Sequence, residues 1–524
     1  MEFIPSPHVT QHWRLSKPAA RGKRGIVVSQ ASSAAEAGVA VLDAGGNAVD
    51  AAVATALALA AVEPWNSGLG GIGFGLVHRA GEKRAEVVDF GPVAPRGLDP
   101  TRFRLTGRHK QDLFAWPEVE GDTNIHGPLS FAIPSSVAGY SLMHERWGKL
   151  PLAEIIVPAI ALARRGLPQD WVTTLKIANS APVLRLYPES ARIYLPDGLP
   201  PTPPYQGVPG FFRLGRLADT LERLGRAGLG DFYKGDIAAS IAADVAAMGG
   251  VLSLDDLRHC RARTMPATEV PWRGRTLQLT GGLTAAPTLM RVLERMADAP
   301  YGARPEPAWF ATLARALKDA YAERLSGLGE AEPRAAETCT THLTVCDAEG
   351  TMVAMTTTLL SSMGSRVVLE GSGVLLNNGV MWFDPRPGQP NSVAPGKRPL
   401  TNMLPVILKN GEQPWIALGA SGGRRIMAAV FQLLTFLADF GMALEEAAHH
   451  PRIDVSDPDS ASADIRLPEA TIAALRAEGT VETVEHGVMP INFACPNLIM
   501  CEPDGTRAGI SDAASPWSAA RAQA

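Results

Sequence analysis

The longest apolar segment, from Ala51 to Val62, constrains the fold more than any other feature of the sequence. It has Asp50 on one side and Glu63 on the other. A helix needs about 20 apolar residues to cross a bilayer, so this shorter segment predicts a helix buried in a protein core. Asn47 follows two glycines and has Asp50 three residues later, which predicts an N-cap with an acidic residue in the first turn.

The size and composition fit a large globular protein. A chain of 524 residues holds several domains or one large multilayer fold, and its 46% hydrophobic and 19% charged residues argue against disorder. The formal net charge of −4 shows no basic excess, so we expect no nucleic-acid partner. The N-terminal segment lacks the continuous apolar region of a secretory signal, so we expect a soluble cytoplasmic protein without a membrane partner.

The cysteine and histidine patterns predict neither a disulfide framework nor a metal site. The cysteines include no Cys-x-x-Cys pair, which is typical of reduced thiols; they are Cys260, Cys339, Cys346, Cys495 and Cys501. His449 and His450 stand before Pro451 at the end of a helical pattern, without His-Glu-x-x-His spacing. We therefore predict no bound metal and no cofactor.

Helical and strand patterns both occur along the chain. Helices are predicted at about 135–148 and 152–165, with several more between 215 and 325. Residues 326–339 have few apolar side chains and predict an exposed linker, after which strand patterns dominate. The predicted strands are 74–78, 85–90, 341–346, 352–358, 373–376, 403–408, 415–418 and 497–501, and two later helices lie near 423–439 and 468–478. This arrangement indicates the α+β class, with strands and helices in layers.

Gly68, Gly70 and Gly73 have the spacing of a dinucleotide-binding fingerprint. That fingerprint requires a strand before it and a helix after it. Here a predicted helix precedes the glycines and a predicted strand follows them. The segment therefore predicts a tight loop with close backbone packing rather than a cofactor site.

The sequence lacks the Gly-x-Ser-x-Gly turn of serine hydrolases. Two other segments contain candidate catalytic groups: a threonine-rich stretch from Glu337 to His342, and a glycine-rich loop from Gly419 to Arg425. Threonine before a strand is usually only a strand residue. Taken alone, Thr340 is therefore a weak candidate nucleophile.

The order and spacing of six segments match a known family. These segments are Gly45–Ala52, Glu63–Gly71, Thr340–His342, Leu375–Asn378, Gly396–Leu400 and Gly419–Gly423. Together they resemble the γ-glutamyltranspeptidase family of N-terminal-nucleophile hydrolases, over residues 25–515. The resemblance implies an enzyme with a four-layer αββα sandwich, made as a precursor that cleaves itself between Cys339 and Thr340. A large subunit of residues 1–339 and a small subunit of residues 340–524 would form one fold, with a homodimer or heterotetramer left open.

The resemblance also implies roles for individual residues. Thr340 would be the nucleophile, Thr358 would hydrogen-bond to its hydroxyl, and the amides of Gly422 and Gly423 would form the oxyanion hole. The chemistry agrees, because a threonine hydroxyl needs an adjacent base and cleavage frees the α-amine of Thr340. An α-amine has an ordinary pKa of about 7.7–8.0, which suits proton transfer near neutral pH.

The sequence departs from the family at the positions that hold a γ-glutamyl group. Transpeptidases have an arginine after an Asp-Phe pair, an asparagine two residues after the second-strand threonine, polar residues after an Asn-Asn pair, and two serines. Here these positions carry Gly91, Leu360, Gly379, Trp382, Thr401 and Asn402. Each lost charged contact costs about 1.5–3 kcal/mol, so several losses predict weak γ-glutamyl binding.

Other polar residues near the matched motifs are candidates for binding a different acyl group. The candidates are Arg366, Asn378, Thr401, Asn402 and Arg424. A break of the strand pattern at Gly364 would turn the Arg366 guanidinium back toward the nucleophile, where it would suit a carboxylate. Alternatively, Arg366 and Arg424 are solvated or pair with acidic residues.

We therefore predict a self-processing amide hydrolase that forms an acyl-enzyme with a small, carboxylate-bearing amide. Family relatives with altered clamps include oxamate amidohydrolases and cephalosporin acylases, and this resemblance favours such a small amide. Two alternatives stay open. One is an authentic γ-glutamyl hydrolase or transpeptidase acting on glutathione-like substrates, and the other is a catalytically silent binding protein on the same fold.

Overall fold

The computed structural model describes residues 15–109, 116–328, 339–457 and 460–524. The helices are α1 (Ser32–Asp43), α2 (Ala48–Val62), α3 (Ser136–Trp147), α4 (Leu152–Ile155), α5 (Val157–Arg165), α6 (Trp171–Leu184), α7 (Pro188–Tyr194), α8 (Leu217–Ala227), α9 (Asp231–Lys234), α10 (Asp236–Ala247), α11 (Leu254–His259), α12 (Ala286–Arg295), α13 (Pro307–Leu328), α14 (Arg425–Ala438), α15 (Leu444–His449) and α16 (Glu469–Glu478). The strands are β1 (Ala20–Gly22), β2 (Ile26–Ser29), β3 (Ile72–His78), β4 (Glu86–Phe90), β5 (Leu105–His109), β6 (Pro117–Val119), β7 (Leu167–Pro168), β8 (Phe211–Phe212), β9 (Arg263–Pro266), β10 (Thr268–Trp272), β11 (Arg275–Leu279), β12 (Cys339–Cys346), β13 (Met352–Leu360), β14 (Val406–Asn410), β15 (Gln413–Ser421), β16 (Ile453–Asp454), β17 (Ala461–Asp464), β18 (Val481–Val484), β19 (Cys495–Cys501), β20 (Arg507–Ser511) and β21 (Ala519–Ala522).

Two antiparallel sheets, each of seven strands within the described residues, form the centre of the molecule. Sheet I has the order β21-β2-β12-β13-β3-β4-β9, and sheet II has the order β1-β20-β19-β15-β14-β11-β10. The sheets pack face to face, because Ile26 and Val28 of sheet I share an apolar core with Ile407 and Ile499 of sheet II. Alternate strand residues face outward, so each sheet has two apolar faces.

The outward faces are covered by helices. Helices α1, α2, α3 and α5 pack with the outer side chains of sheet I, which include Val27 and Val77. Helices α12, α13, α14 and α16 pack with those of sheet II, which include Val406 and Leu408. The order of layers is helices, sheet I, sheet II, helices. The predicted α+β class and four-layer αββα sandwich are therefore confirmed.

Helix α2 is the buried helix that the apolar segment predicted. All its residues are buried, from Ala48 to Val62. The Asn47 side chain accepts hydrogen bonds from the amides of Val49 (2.9 Å) and Asp50 (3.0 Å), and the Asp50 carboxylate accepts one from the Asn47 amide. This reciprocal capping box confirms the predicted N-cap.

The glycine loop before β3 is a site of close backbone packing, as predicted. A Cβ on Gly70 would lie 2.2 Å from the Leu375 carbonyl oxygen, so only glycine fits there. Gly70 and Leu376 form an isolated parallel bridge, and Val368 and Leu375 form an antiparallel one. The strand predicted at 373–376 is therefore wrong, because that segment is held against the glycine loop by single bridges instead of a sheet.

Other boundaries differ by a few residues. The helix predicted at 152–165 is divided into α4 and α5, with Pro158 in the first turn of α5. The strand predicted from residue 403 begins at Val406. Helix α13 continues to Leu328, so the first residues of the predicted 326–339 linker are helical, and residues 329–338 lie outside the described part of the chain.

Two further findings concern the described residues as a whole. None of their helices combines the length and hydropathy needed to cross a membrane. The cysteines whose side chains are described are free thiols, and these are Cys260, Cys346, Cys495 and Cys501.

Candidate active site

Thr340 lies near the start of β12, where strand pairing is irregular. Thr341 pairs with Thr357, but Cys339 pairs with Leu360, so the register shifts across Thr340. Irregularities of this kind re-aim a side chain away from the regular ladder. Thr340 is 5% exposed and lines a cavity beside sheet I. The cavity thus reaches the residue that follows the predicted cleavage position.

The hydroxyls of Thr340 and Thr358 lie side by side. Their Oγ1 atoms are 3.3 Å apart, and both residues are buried. Thr358 Oγ1 also accepts a 2.8 Å hydrogen bond from the Leu360 amide. Leu360 has a φ of 87°, in the left-handed region that residues other than glycine rarely adopt. Strained backbone of this kind concentrates at functional sites, and here it keeps the amide on the Thr358 hydroxyl.

A buried carboxyl lies next to this pair. Glu63 Oε2 accepts a 2.5 Å hydrogen bond from the Thr341 hydroxyl, and its Oε1 accepts one of 2.6 Å from Asn66. Burial raises the pKa of Glu63 to about 7, although the two hydrogen bonds and the positive charge of Lys176 oppose the rise. At neutral pH the carboxyl is therefore partly protonated, directly beside the residue that follows Thr340.

His342 is a packing residue of this strand. Its Nδ1 is 2.9 Å from Thr356 Oγ1, and burial lowers the pKa of the imidazole to about 3, so the ring is neutral. The ring lies flat against sheet II, where a Cβ on Gly419 would be 2.3 Å from it. His342 thus holds the two sheets together behind the threonines.

Gly422 and Gly423 connect β15 to α14 in conformations that favour glycine. Their φ angles are 139° and 58°, and a Cβ on Gly422 would lie 2.7 Å from the Ala494 Cα. Their carbonyls accept hydrogen bonds from the first amides of α14, whereas their own amides have no acceptor among the described residues. They precede the N-terminus of a helix, which favours negative charge, and Gly422 lies on the cavity wall with Thr340. The arrangement is able to stabilise an oxyanion.

The cavity beside Thr340 has a volume of about 340 Å³, within the range of small-molecule sites. Three tryptophans contribute to its walls, Trp65, Trp171 and Trp517. The first and last of these rings have centroids 5.1 Å apart. The charged residues on the walls are Glu63, Lys176 and Arg425. Apolar rings and two cations therefore meet at the threonine.

The five predicted substrate residues lie outside this cavity, since none of them is among the described residues that line it. Arg366 Nη1 donates hydrogen bonds to Ser361 Oγ (2.6 Å) and to the Gly364 carbonyl (2.5 Å). Asn378 Nδ2 donates to the same Ser361 oxygen at 2.8 Å. Both side chains thus support the loop that follows β13, and their roles in substrate binding stay predictions.

Thr401 and Asn402 are held by a residue that the sequence analysis missed. Arg324 of α13 is buried, and its Nη2 donates to the Thr401 carbonyl (2.6 Å) and to Asn402 Oδ1 (3.3 Å). The carbonyl of Arg424 accepts a 2.5 Å hydrogen bond from the Tyr321 hydroxyl. These contacts tie α13 to the glycine loop, and the assignments of Thr401, Asn402 and Arg424 as substrate contacts also stay predictions.

The sequence analysis also missed the charged and aromatic side chains of the cavity wall. Glu63 directly follows the apolar segment of α2, so its burial was predictable, but nothing in the sequence connected it to Thr341. Lys176 and Trp171 lie on α6, which has no matched motif, and Trp517 lies near the end of the chain. Only the fold brings these residues to one place.

One group of side chains has the composition of a metal site. His486, Cys495 and Asp512 offer ligand atoms within 4.8 Å of one another. The ligands are already occupied, because His486 Nδ1 accepts from the Phe493 amide and Asp512 accepts from Arg452 Nη2 at 2.9 Å. The adjacent guanidinium also repels a cation. The cluster is therefore a buried ionic network and fits a metal poorly.

We expect Asp512→Asn to destabilise the protein by about 3–5 kcal/mol, because it leaves Arg452 buried without a counter-ion. Both side chains are less than 5% exposed. Burial alone would raise the pKa of Asp512, but His486 and Arg452 hold that pKa below its usual range. Urea unfolding measures the loss. Glu445→Gln, which breaks an exposed pair with Arg21, is the control and should cost about 1 kcal/mol or less.

Glu63 should make stability depend on pH. The folded protein retains the Glu63 proton up to about pH 7, whereas the ordinary pKa is 4.5. The folded state therefore binds more protons between these values, and stability falls as the pH rises through them. Glu63→Gln should remove this fall, so that its stability relative to wild type improves by on the order of 1–3 kcal/mol between pH 5 and pH 8. Thermal unfolding at both pH values measures it. The exposed Glu412→Gln is the control, and parallel pH curves for wild type and Glu63→Gln would contradict the prediction.

Comparison with known proteins identifies the family of this chain. The model of the family described as gamma-glutamyltranspeptidase matches residues 34–339 and 328–521. The chain belongs to the γ-glutamyltranspeptidase family. It is therefore an enzyme, an amidohydrolase of the N-terminal-nucleophile type, and the corresponding predictions are confirmed.

Relatives in the γ-glutamyltranspeptidase family carry two kinds of names. The chain is 31% identical to the Acylase ACY 1 proenzyme of Pseudomonas sp. (strain SE83), over 97% of this chain and 95% of that protein. It is 29% identical to the glutathione hydrolase proenzyme of Escherichia coli (strain K12), over 94% and 90%. Its backbone matches the cephalosporin acylase from Bacillus halodurans with a TM-score of 0.83 over 99% of both chains, and at 23% identity this match shows the fold alone.

Proposed function

We propose that this protein is a self-cleaving amide hydrolase whose nucleophile is the Thr340 hydroxyl. The observation that carries the proposal is the pair of hydroxyls of Thr340 and Thr358, 3.3 Å apart at a cavity wall. The amides of Gly422 and Gly423, without acceptors among the described residues, support it. So do the relatives, which are named proenzymes.

Maturation begins with attack of Thr340 Oγ1 on the Cys339 carbonyl carbon. An ester to Oγ1 forms as the C–N bond to Thr340 breaks, and the hydroxyl proton passes to the departing nitrogen. Water then hydrolyses the ester. This releases residues 1–339 as the large subunit and leaves residues 340–524 as the small subunit, with a free α-amine on Thr340.

In the mature enzyme that α-amine accepts the Thr340 hydroxyl proton as Oγ1 attacks the substrate amide. Thr358 orients the hydroxyl, and Gly422 and Gly423 donate to the oxyanion. The amine product leaves with the transferred proton. Water, deprotonated by the same α-amine, hydrolyses the acyl ester and regenerates the hydroxyl.

The acyl specificity follows from the altered clamp positions. Leu360 and Trp382 belong to a buried apolar cluster together with Trp116 and Met403. Trp116 Nε1 donates to the Met381 carbonyl at 3.2 Å, which fixes its ring in the cluster. An α-ammonium placed there lacks the polar partners that the resemblance assigns to transpeptidases. The acyl group is therefore one without an α-amine.

The test is a turnover assay on purified, cleaved protein with oxamate, glutaryl-4-nitroanilide, γ-glutamyl-4-nitroanilide and glutathione. The proposal expects hydrolysis of an amide that lacks the α-amine, by wild type and not by Thr340→Ala. A fully cleaved protein that hydrolyses none of them would contradict it. Glutathione hydrolysis is the second candidate function, favoured by the Escherichia coli relative, and efficient turnover of glutathione at micromolar KM would establish it instead.

A further inference from the structure

We propose that the cavity beside Thr340 is a subsite for the amine half of the substrate, and that it takes an aromatic amine whose carboxylate is bound by Lys176. The proposal rests on the function proposed above, in which Thr340 attacks the amide. It adds the class of amine that leaves, which the family resemblance does not address.

The cavity and the acyl-clamp positions are two separate regions, one for each half of the substrate. The positions where the resemblance puts the acyl clamp, Leu360 and Trp382, lie in the apolar cluster around Trp116. None of the described residues that line the cavity belongs to that cluster. Thr340 lines the cavity, and its hydroxyl is 3.3 Å from that of Thr358, which stands two residues before Leu360 of the cluster. An amide at Thr340 therefore has its acyl group on the cluster side and its amine on the cavity side.

The shape and lining of the cavity favour an aromatic amine. Its volume of about 340 Å³ suits one ring system with small substituents. Trp65, Trp171 and Trp517 supply faces and edges against which a flat ring packs, and aromatic pairs of this kind contribute about 0.5–1.5 kcal/mol beyond buried area. Phe493 and Met489 extend the apolar wall.

The charges on the wall favour an anionic substituent. Lys176 has no hydrogen-bond acceptor among the described residues, and the ionisable groups that act on it are Glu63 and Cys495. Burial raises the pKa of Glu63 to about 7 and raises that of the Cys495 thiol well above its ordinary value. Neither group therefore carries the full negative charge that would balance the Lys176 ammonium at neutral pH. Arg425 donates one hydrogen bond to the Ile491 carbonyl and is also close to the buried Asp454. The cavity wall is therefore net positive, and of its two cations Lys176 is the one without a hydrogen-bond acceptor among the described residues.

Binding of two amines that differ only in a carboxylate tests the subsite without requiring turnover. The probes are 5-amino-2-nitrobenzoate and 4-nitroaniline, titrated into the cleaved wild-type protein in a calorimeter. We expect the carboxylate to improve affinity about tenfold or more, since a charged hydrogen bond is worth about 1.5–3 kcal/mol. Lys176→Met should remove the difference, and Lys176→Arg should retain it. Lys149→Met, an equal loss of charge at an exposed residue between α3 and α4, should leave it unchanged.

Equal affinity of the wild type for the two probes, or an undiminished preference in Lys176→Met, would overturn the proposal. Kinetics provide an independent readout with glutaryl-4-nitroanilide and its 3-carboxy derivative. Lys176→Met should raise KM about tenfold for the carboxylated anilide only. A rise of equal size for both anilides would place the carboxylate of the glutaryl group at Lys176 and contradict the assignment to the amine half. Preferential binding without turnover of any amide would leave the subsite standing and reject the proposed function.

Discussion

Thr340→Ala should remain a single chain, whereas the wild-type protein should separate into two fragments on a denaturing gel. The substitution removes the hydroxyl that attacks the Cys339 carbonyl and leaves the strand intact, since alanine fits the same backbone. N-terminal sequencing of the smaller wild-type fragment should begin Thr-Thr-His-Leu. An intact wild-type chain that hydrolyses amides, or a cleaved Thr340→Ala, would contradict both the nucleophile and the subunit boundary.

The neighbouring threonines supply graded controls for this result. Thr358→Val keeps the shape and removes the hydroxyl 3.3 Å from Thr340 Oγ1. Loss of a neutral hydrogen bond worth about 0.5–1.5 kcal/mol predicts cleavage roughly 2–10-fold slower, followed as a time course on gels. Thr344→Val is the matched control. Thr344 lies on β12 with Thr340, and its buried hydroxyl has no hydrogen-bond partner among the described residues. It should cleave at the wild-type rate.

The sequence predicted the fold where local patterns and family motifs agreed. The apolar run of α2 and the capping residue Asn47 fix a helix without knowledge of the rest of the chain, and both are confirmed. The alternating strands around residues 347–350 likewise gave β12 and β13. The strand predicted at 373–376 failed because its apolar residues are buried against the glycine loop, and burial alone does not distinguish that packing from a sheet.

Site residues at the ends of strands could be predicted from the sequence, whereas the cavity residues that come from other parts of the chain could not. Thr340 and Gly422 could be placed because they lie in matched motifs, and Thr358 because the family resemblance implied its position. The fold brings Thr340 and Gly422 to one cavity wall and puts the Thr358 hydroxyl 3.3 Å from that of Thr340. Lys176 and Trp517 could not be placed, since each is separated from Thr340 by about a third of the chain and neither belongs to a motif. Arg366 was predicted from its positive charge; its guanidinium binds its own loop, and its role in substrate binding stays a prediction.

The second large effect concerns the α-amine of the acyl group. We expect kcat/KM for γ-glutamyl-4-nitroanilide to be about 100-fold or more below that for glutaryl-4-nitroanilide, which differs only in lacking the amine. In the apolar cluster around Leu360 and Trp382 the ammonium loses hydration without gaining a partner. Losing two or more charged contacts of about 1.5–3 kcal/mol each produces a difference of this size.

Restoring a γ-glutamyl contact should be feasible at one clamp position, Leu360, and not at Gly91, where transpeptidases have the arginine. A Cβ on Gly91 would lie 2.5 Å from the Phe74 ring and 2.6 Å from Arg398 Nη2, so an arginine there clashes before it reaches the substrate. Leu360 has a φ of 87°, a conformation that asparagine adopts far more readily than leucine, so Leu360→Asn relieves backbone strain while adding an acceptor for the ammonium. We expect this variant to reduce the preference for glutaryl over γ-glutamyl anilide about tenfold, and Leu360→Met to leave it unchanged. Efficient γ-glutamyl hydrolysis by the unaltered wild type would show that other residues hold the amine, and it would identify the protein with its glutathione-hydrolysing relatives.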